Sequence, residues 1–528
     1  MKFLRLATAT IMSLLVVMGA ASAQKSGGTL RIYHRDSPAS MSIYEETTIS
    51  TSIPMMGVFN NLVVFDPHQT QNRLDNIIPD LAESWSLSED GKSITFKLRS
   101  GVKWHDGKPF SANDVKCSWD LLLGKAPQKL RVNARETWWT NLNDVTADNE
   151  TQASFHLKRP QPSFLALLAS GLSPIYPCHV APAEMRQHPI GTGPFKFVEF
   201  KPNQFIQVAR NPDYWKRGRP YLDGIEYTII PNRSTAMLAF AAGKFDLTFP
   251  YEITIAMLKD LRSQMPQAVC EVTPMNVSMT LSIGQKPPFD KAEVRRAVTL
   301  SLDRKAFIDI LGDGQGDIGT ALLPAPDGQW AMSPDMVQKL PGYDPDVTKS
   351  RAEAQKTMRT LGYGPDNRFN LKITTRNLPD FRDPASITAD QLKNIWINSE
   401  VEAVETANFL PRLMRSDFTV ALTAIGSGLD DPDQNFYENY ICDSKRNYGR
   451  YCNHEVDALI DQQSMERELP KRRDLVWEID RRLQEDVARP ILFYMRKATC
   501  WSPDVSGIKL QTNSIYNGWR MEDVWLNR

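Results

Sequence analysis

The sequence predicts an α/β protein of more than one domain that is exported from the cytoplasm. Three observations carry this. Alternating, strand-like segments and helix-like segments follow one another along the chain, the pattern of sheets covered by helices. The chain has 528 residues, more than one core of about 100–200 residues accommodates. The third is the N-terminus: Lys2 and Arg5 precede a mostly apolar run over 9–20, and Ala21-Ser22-Ala23 offers small residues for cleavage before Gln24. The run is shorter than the roughly 20 residues that span a bilayer. No cysteine occurs before Cys117, so no lipid is expected at the cleavage site. The expectation is a soluble periplasmic protein with residues 1–23 removed.

Taken in order, 28–34 is short and alternating and reads as a first strand. A second strand at 93–99 follows the turn signal Asp90-Gly91. Ser111 caps a helix, with Asp114 three residues on. Residues 149–157 read as a strand and 160–169 as a helix opened by Pro162 and Ser163. A strand pair flanks Lys201-Pro202-Asn203, and 224–230 is a strand. A helix at 234–242 stops at Gly243, and Asp246-Leu247-Thr248-Phe249 reads as a strand. Two amphipathic helices fill 291–311, and a further helix at 348–361 stops at Gly362. A strand at 371–375, a helix at 384–397 and a strand at 419–424 continue the alternation. Helices at 455–466 and 470–486 precede a buried strand at 491–499.

Lys plus Arg and Asp plus Glu each number 62, so the chain lacks the basic footprint of a nucleic-acid binder. Gly314-Gln315-Gly316-Asp317-Ile318-Gly319 matches the dinucleotide fingerprint in letters. That motif needs a strand before it and a helix after it. Here a helix precedes it, and the proline-rich stretch 320–326 follows, so a glycine-rich loop is expected. Gly191-Thr192-Gly193-Pro194-Phe195 lacks the Lys-Ser/Thr of a phosphate loop. Gly426-Ser427-Gly428 has the wrong spacing for a nucleophile elbow. None of the seven histidines forms a metal-ligand spacing. Carboxylate pairs such as Glu45-Glu46 read as solvated faces. No catalytic residue, metal or cofactor is assigned.

A set of phrases in fixed order is more specific. They are Pro79-Asp80-Leu81-Ala82-Glu83-Ser84-Trp85, the stretch from Leu98-Arg99-Ser100-Gly101 to Trp104-His105-Asp106-Gly107, and the Gly191-Thr192-Gly193-Pro194-Phe195 turn. Arg210-Asn211-Pro212-Asp213-Tyr214-Trp215, then Val294-Arg295-Arg296-Ala297 with Asp303-Arg304, and Tyr451-Cys452-Asn453 complete the set. In this order they resemble the dipeptide, oligopeptide and nickel solute-binding proteins that feed ABC importers, over nearly the whole chain after residue 23. The resemblance implies a two-lobe periplasmic binding protein fold of the large type with an inserted subdomain. Lobe I would be 24–275 plus 490–528, with the insert at about 57–188, and lobe II would be 276–489. Two crossing segments, at 272–282 and 491–499, would form the hinge that lets the lobes close on a ligand. The implied function is capture of a peptide-like solute by a monomer and its delivery to membrane permease subunits with their ATPase. The rival readings are a ligand sensor for a chemoreceptor and a hydrolase of exported peptides.

The resemblance also implies the site. Arg35, Asp36 and Ser37 leave the first strand toward the cleft. Arg376 follows the strand at 371–375, where dipeptide binders place an arginine on the ligand carboxylate; a guanidinium fork suits that task. The stretch from Gly428 through Asp430-Asp431-Pro432-Asp433 to Phe436 resembles a family segment that carries an aspartate on the ligand's α-ammonium. At that position this chain has Gly428, with Asp430 and Asp431 as nearby carboxylates. The ammonium partner is therefore missing from its usual place, and opine-like conjugates, modified peptides, oligosaccharides and metal chelates are open as ligands. Trp138 and Trp139 are candidates for an apolar wall or for core. In the family's dipeptide binders a bridge occupies the position of Cys442 and Cys452. Cys117 with Cys178, and Cys270 with Cys500, are possible pairs, with free thiols as the alternative.

Overall fold

A computed structural model describes residues 24–528; the leader assigned to 1–23 lies outside them. Three larger sheets organise the chain. In the first, strand Thr29–His34 runs parallel to Gly224–Ile229, which continues antiparallel into Phe205–Arg210 and Phe195–Lys201. The second is an antiparallel sheet of Ala82–Leu87, Ser93–Leu98, Gln152–Leu157 and Leu142–Asn149. The third has six strands in the order Gly316–Asp317, Ile491–Trp501, Val269–Ile283, Val420–Gly426, Phe369–Arg376 and Ile397–Val404.

The strands Val269–Ile283 and Ile491–Trp501 are the longest of this last sheet and pair antiparallel along most of their length. Both are dense in apolar and β-branched residues and nearly continuously buried, as a strand covered on both faces requires. The far end of Ile491–Trp501 bridges to Leu247 and Ile253, so this pair ties the third sheet to the first. Two large apolar cores lie on either side of it. One draws on residues from Leu30 to Val277 and from Ala498 to Leu526, joined by Leu429, and the other on residues from Met279 to Phe493.

Local signals explain most element ends. The Asp114 carboxylate accepts the Ser111 N–H at 3.0 Å and closes a capping box on helix Ala112–Leu122. The turn at 191–193 must be glycine at both ends, because a Cβ on either residue would overlap backbone of residues 57–58. His105 clamps this turn, its Nδ1 accepting from the Gly191 N–H (3.3 Å) and its Nε2 bonding the Gly193 carbonyl (3.0 Å). Burial lowers its pKa to about 4, so the ring is neutral.

Three local expectations change. The helix expected at 384–397 is Pro379–Leu392, because Pro379 occupies the first turn and Pro384 is carried inside. Asp246-Leu247-Thr248-Phe249 makes only isolated bridges, from Leu247 to Ile32 and Trp501. Positive φ at Gly243 (73°) and Tyr251 (57°) leaves too little extended chain between them for a ladder. Strand Leu142–Asn149 went unanticipated, since only Leu142 and Val145 are buried and the rest reads as polar loop.

All six cysteines are paired: Cys117 with Cys178, Cys270 with Cys500 and Cys442 with Cys452. Cys270 and Cys500 face each other in the register of the two long strands. No helix among the described residues is long and apolar enough to cross a membrane.

Candidate functional site

Parallel strands from two sheets point their carboxyl ends at each other, the usual place for a ligand in an α/β sheet. Strand Thr29–His34 delivers Arg35 and Asp36, and strand Phe369–Arg376 delivers Arg376. The Arg376 guanidinium pairs with the Asp36 carboxylate and donates from Nε to Thr406 Oγ1 at 2.7 Å. Thr406 in turn donates to Asp36 at 2.8 Å, and Ser50 donates to the same carboxylate. Burial alone would raise the Asp36 pKa, but Arg376 and Arg35 hold it below the usual carboxylate range.

Beside this pair lies a second ionic group. Asp380, in the first turn of Pro379–Leu392, receives Arg233 and Lys497, with Arg35 at 3.9 Å. Glu252 receives Arg233 at 3.2 Å and Arg35 at 3.3 Å. Burial opposes the charge on Asp380, and Arg233, Lys497 and Arg35 more than restore it. Arg35 is only 7 % exposed, and its Nε has no hydrogen-bond partner.

Arg35, Arg376 and Asp380 line a cavity of about 100 Å³. Its apolar walls include Met275 and Val277 from one long strand and Met495 from the other, with Phe381, Phe409 and Ile515. Its lining also includes Arg446 and Tyr448, carried on the loop closed by the Cys442–Cys452 bridge. Arg446 pairs with Glu438, while its Nε and the Tyr448 hydroxyl lack partners. Arg489 lies over the Tyr448 ring at 5.4 Å and donates to Thr423 Oγ1 at 2.9 Å and Asn439 Oδ1 at 3.1 Å. Arg135 donates to the carbonyls of Ile43 (3.0 Å) and Glu46 (3.1 Å). Burial, reinforced by the charge of Arg446, lowers Arg135 and Arg489 to about 10, so both stay cationic at neutral pH.

The remaining candidates lie elsewhere. Gly428 donates its N–H to Gln434 Oε1 (2.8 Å), and its carbonyl accepts from Asn517 (2.6 Å). A Cβ there would meet Ser170 Oγ at 2.8 Å, so this position is packed against protein. Asp431 caps helix Pro432–Asn439 and makes a two-pronged pair with Arg472 at 2.8 and 2.9 Å. Asp430 accepts from the Gln329 N–H at 3.0 Å, and burial pushes its pKa up to about 7. Ser37 accepts from the Asn203 N–H at 3.2 Å. Trp138 and Trp139 are both core residues, with the Trp138 indole donating to Glu438 at 2.8 Å. The structure thus places Arg35 and Arg376 in the cavity lining, with Asp36 paired to Arg376 behind it, and leaves Ser37, Gly428, Asp430 and Asp431 outside. Sequence reasoning missed Asp380, Arg446, Arg489 and Arg135.

Helix Pro432–Asn439 is wholly buried although mostly polar, so each polar group needs a partner. Asp433 takes Gln161 (2.9 Å) and Ser163 from the first half of the chain, and Ser464 (2.8 Å) and Gln463 from the second. These bonds join the two halves beside the cavity and describe a closed cleft.

Residues 76–447 match the model of the bacterial extracellular solute-binding proteins, family 5. A Haemophilus influenzae protein named heme-binding protein A is 29 % identical over 437 residues, 77 % of this chain and 76 % of its own. Di/tripeptide-binding protein 1 of Pseudomonas aeruginosa is 27 % identical over 460 residues, covering 81 % and 82 % of the two chains. The Helicobacter pylori periplasmic binding protein DppA, solved with the peptide STSA, superposes with a TM-score of 0.83 at 23 % identity, covering 96 % of this chain and 99 % of that one. With this fold, these relatives and a cavity between two cores, the chain belongs to the bacterial extracellular solute-binding proteins of family 5, which bind solutes for ABC import.

Proposed function

We propose that this chain captures a small peptide-like or conjugated solute in the periplasm and hands it, as a monomer, to permease subunits of an ABC importer with their ATPase. Residues 1–23 are removed after Ala23. Residues 24–275 plus 490–528 act as one lobe, with an inserted subdomain at about 57–188, and residues 276–489 as the other; the two long strands serve as hinge. The observation that carries the reading is the cavity between the two cores, lined by strand-end arginines from both, Arg35 and Arg376. At about 100 Å³ it has room for roughly three waters of about 30 Å³ each, which suits a small solute. The relatives' names, one for heme and one for di- and tripeptides, leave the ligand chemistry to this chain's own side chains.

Protein isolated from periplasmic extract is expected to release a bound solute on denaturation, seen by mass spectrometry. Stripped of it, the protein should scatter X-rays with a larger radius of gyration than the loaded form. Identical scattering of the two forms with nothing released would refute the reading.

A further inference from the structure

We propose that the Arg446 end of the cavity is a second anion subsite, so that the ligand carries a carboxylate at each end and no free ammonium. This deepens the reading of the cleft as the ligand site and rests on it.

Charge bookkeeping makes the case. Arg35, Arg376 and Arg446 line the cavity; the half-buried Arg233 and the buried Lys497 pair with Asp380 behind the first two, and the buried Arg135 and Arg489 stand near Arg446. Apart from Glu46, which faces Arg135 and already holds Arg131, the carboxylates facing them are four: Asp36, Glu252, Asp380 and Glu438. Asp383, next along from Asp380, is exposed to solvent. Each of the four carboxylates already holds at least one cation, so none is free for an incoming ammonium. The excess of positive charge has no partner within the protein. Burying an ion without a counter-charge is expensive, and that expense falls when a ligand supplies the missing sign.

The imbalance is greatest at the Arg446 end. Glu438 is the carboxylate paired with Arg446, and it also accepts from the Trp138 indole; Glu46 faces Arg135 but is itself held by Arg131. Arg489 and Arg135 donate to neutral oxygens, and the Arg135 Nε, away from the cavity lining, has no partner. The donors left over, Arg446 Nε and the Tyr448 hydroxyl, belong to residues that line the cavity. Two unpartnered donors on residues of one cavity wall match in number the two oxygens of a carboxylate. At the opposite end the unpartnered Arg35 Nε and the Arg376 guanidinium offer the first anion site. Gly428 adds the complementary negative result, since Ser170 fills the space beside it and no acid stands there.

Calorimetry on the mature protein, stripped of bound solute, tests this with one scaffold in three charge states: Ala-Ala, N-acetyl-Ala-Ala and N-succinyl-Ala-Ala. The succinyl form should bind at least tenfold tighter than the acetyl form, and the free dipeptide weakest. Arg446→Gln should remove the succinyl preference while changing acetyl binding less than threefold. Should that variant fail to fold, Glu438→Gln serves with opposite sign: it frees Arg446, keeps an acceptor for Trp138, and should tighten succinyl binding severalfold. Free dipeptide binding as tightly as the succinyl form overturns the inference and leaves the cleft reading in place, as does an unchanged preference in both variants. Binding of none of the three also overturns it, and scattering that stays the same with and without periplasmic extract would remove the cleft reading as well.

Discussion

Two buried charge networks lie at opposite ends of helix Pro432–Asn439, and they are built on opposite principles. At its N-terminus, Asp431 and Asp433 face Arg472, and neutral donors from Gln161, Ser163, Gln463 and Ser464 fill the remaining positions. At its C-terminal end, Glu438 pairs with Arg446 beside Arg489 and Arg135, with Glu46 farther off and held by Arg131. The first network is satisfied within the protein and holds the two halves of the chain together. The second keeps donors without partners, two of them on Arg446 and Tyr448, residues that line the cavity. A buried charge that is matched acts as a rivet, and one that is unmatched acts as a request for a ligand.

The sharpest way to break this contrast is Arg472→Met, which leaves two buried carboxylates without a cation. We expect a loss of about 3–5 kcal/mol in urea unfolding, the usual consequence of removing one partner of a buried pair. A loss below about 1 kcal/mol would show that the N-terminal network is not the rivet described. Next in size, Glu438→Gln removes the negative charge paired with Arg446 at the other end. The empty protein should lose about 2 kcal/mol, and a polycarboxylate ligand should restore most of it in a thermal melt. A variant as stable as the parent without ligand would mean that the three arginines do not strain the empty state.

The smallest effect sits just outside the first network. Asp430 is pushed up to about 7 by burial and by its neighbour Asp431, above the roughly 3.9 of an unfolded aspartate. Its charge therefore opposes folding fully above pH 7, and the penalty fades as pH falls from about 7 to about 4. Asp430→Asn should stabilise at pH 8 and not at pH 4. A gain that is independent of pH would assign the effect to hydrogen bonding with Gln329 instead.

Much of the architecture was legible because it is written in local pattern. The crossing segments expected at 272–282 and 491–499 are the strands Val269–Ile283 and Ile491–Trp501, since long apolar runs have few alternatives. Arg376 was legible because it ends such a strand. The helix start at Pro379 was misplaced by five residues because Pro384 looked like a better opener, although its missing N–H is tolerated inside the helix. The Arg446 end was not legible at all. Arg135, Glu438, Arg446 and Arg489 come from separate elements and share no spacing, and only tertiary packing assembles them. Gly428 gave a partial signal: an absent carboxylate says what the ligand lacks, whereas the structure is needed to see which charges are in excess.

The ring closed by Cys442 and Cys452 encloses both Arg446 and Tyr448. One end of the cleft is therefore staked out by a covalent bond that forms only in an oxidising compartment. A chain still holding thiols has no such closure, and this loop must find its place against the full entropy of an open segment. Under the proposed periplasmic role, ligand competence would arrive only after export.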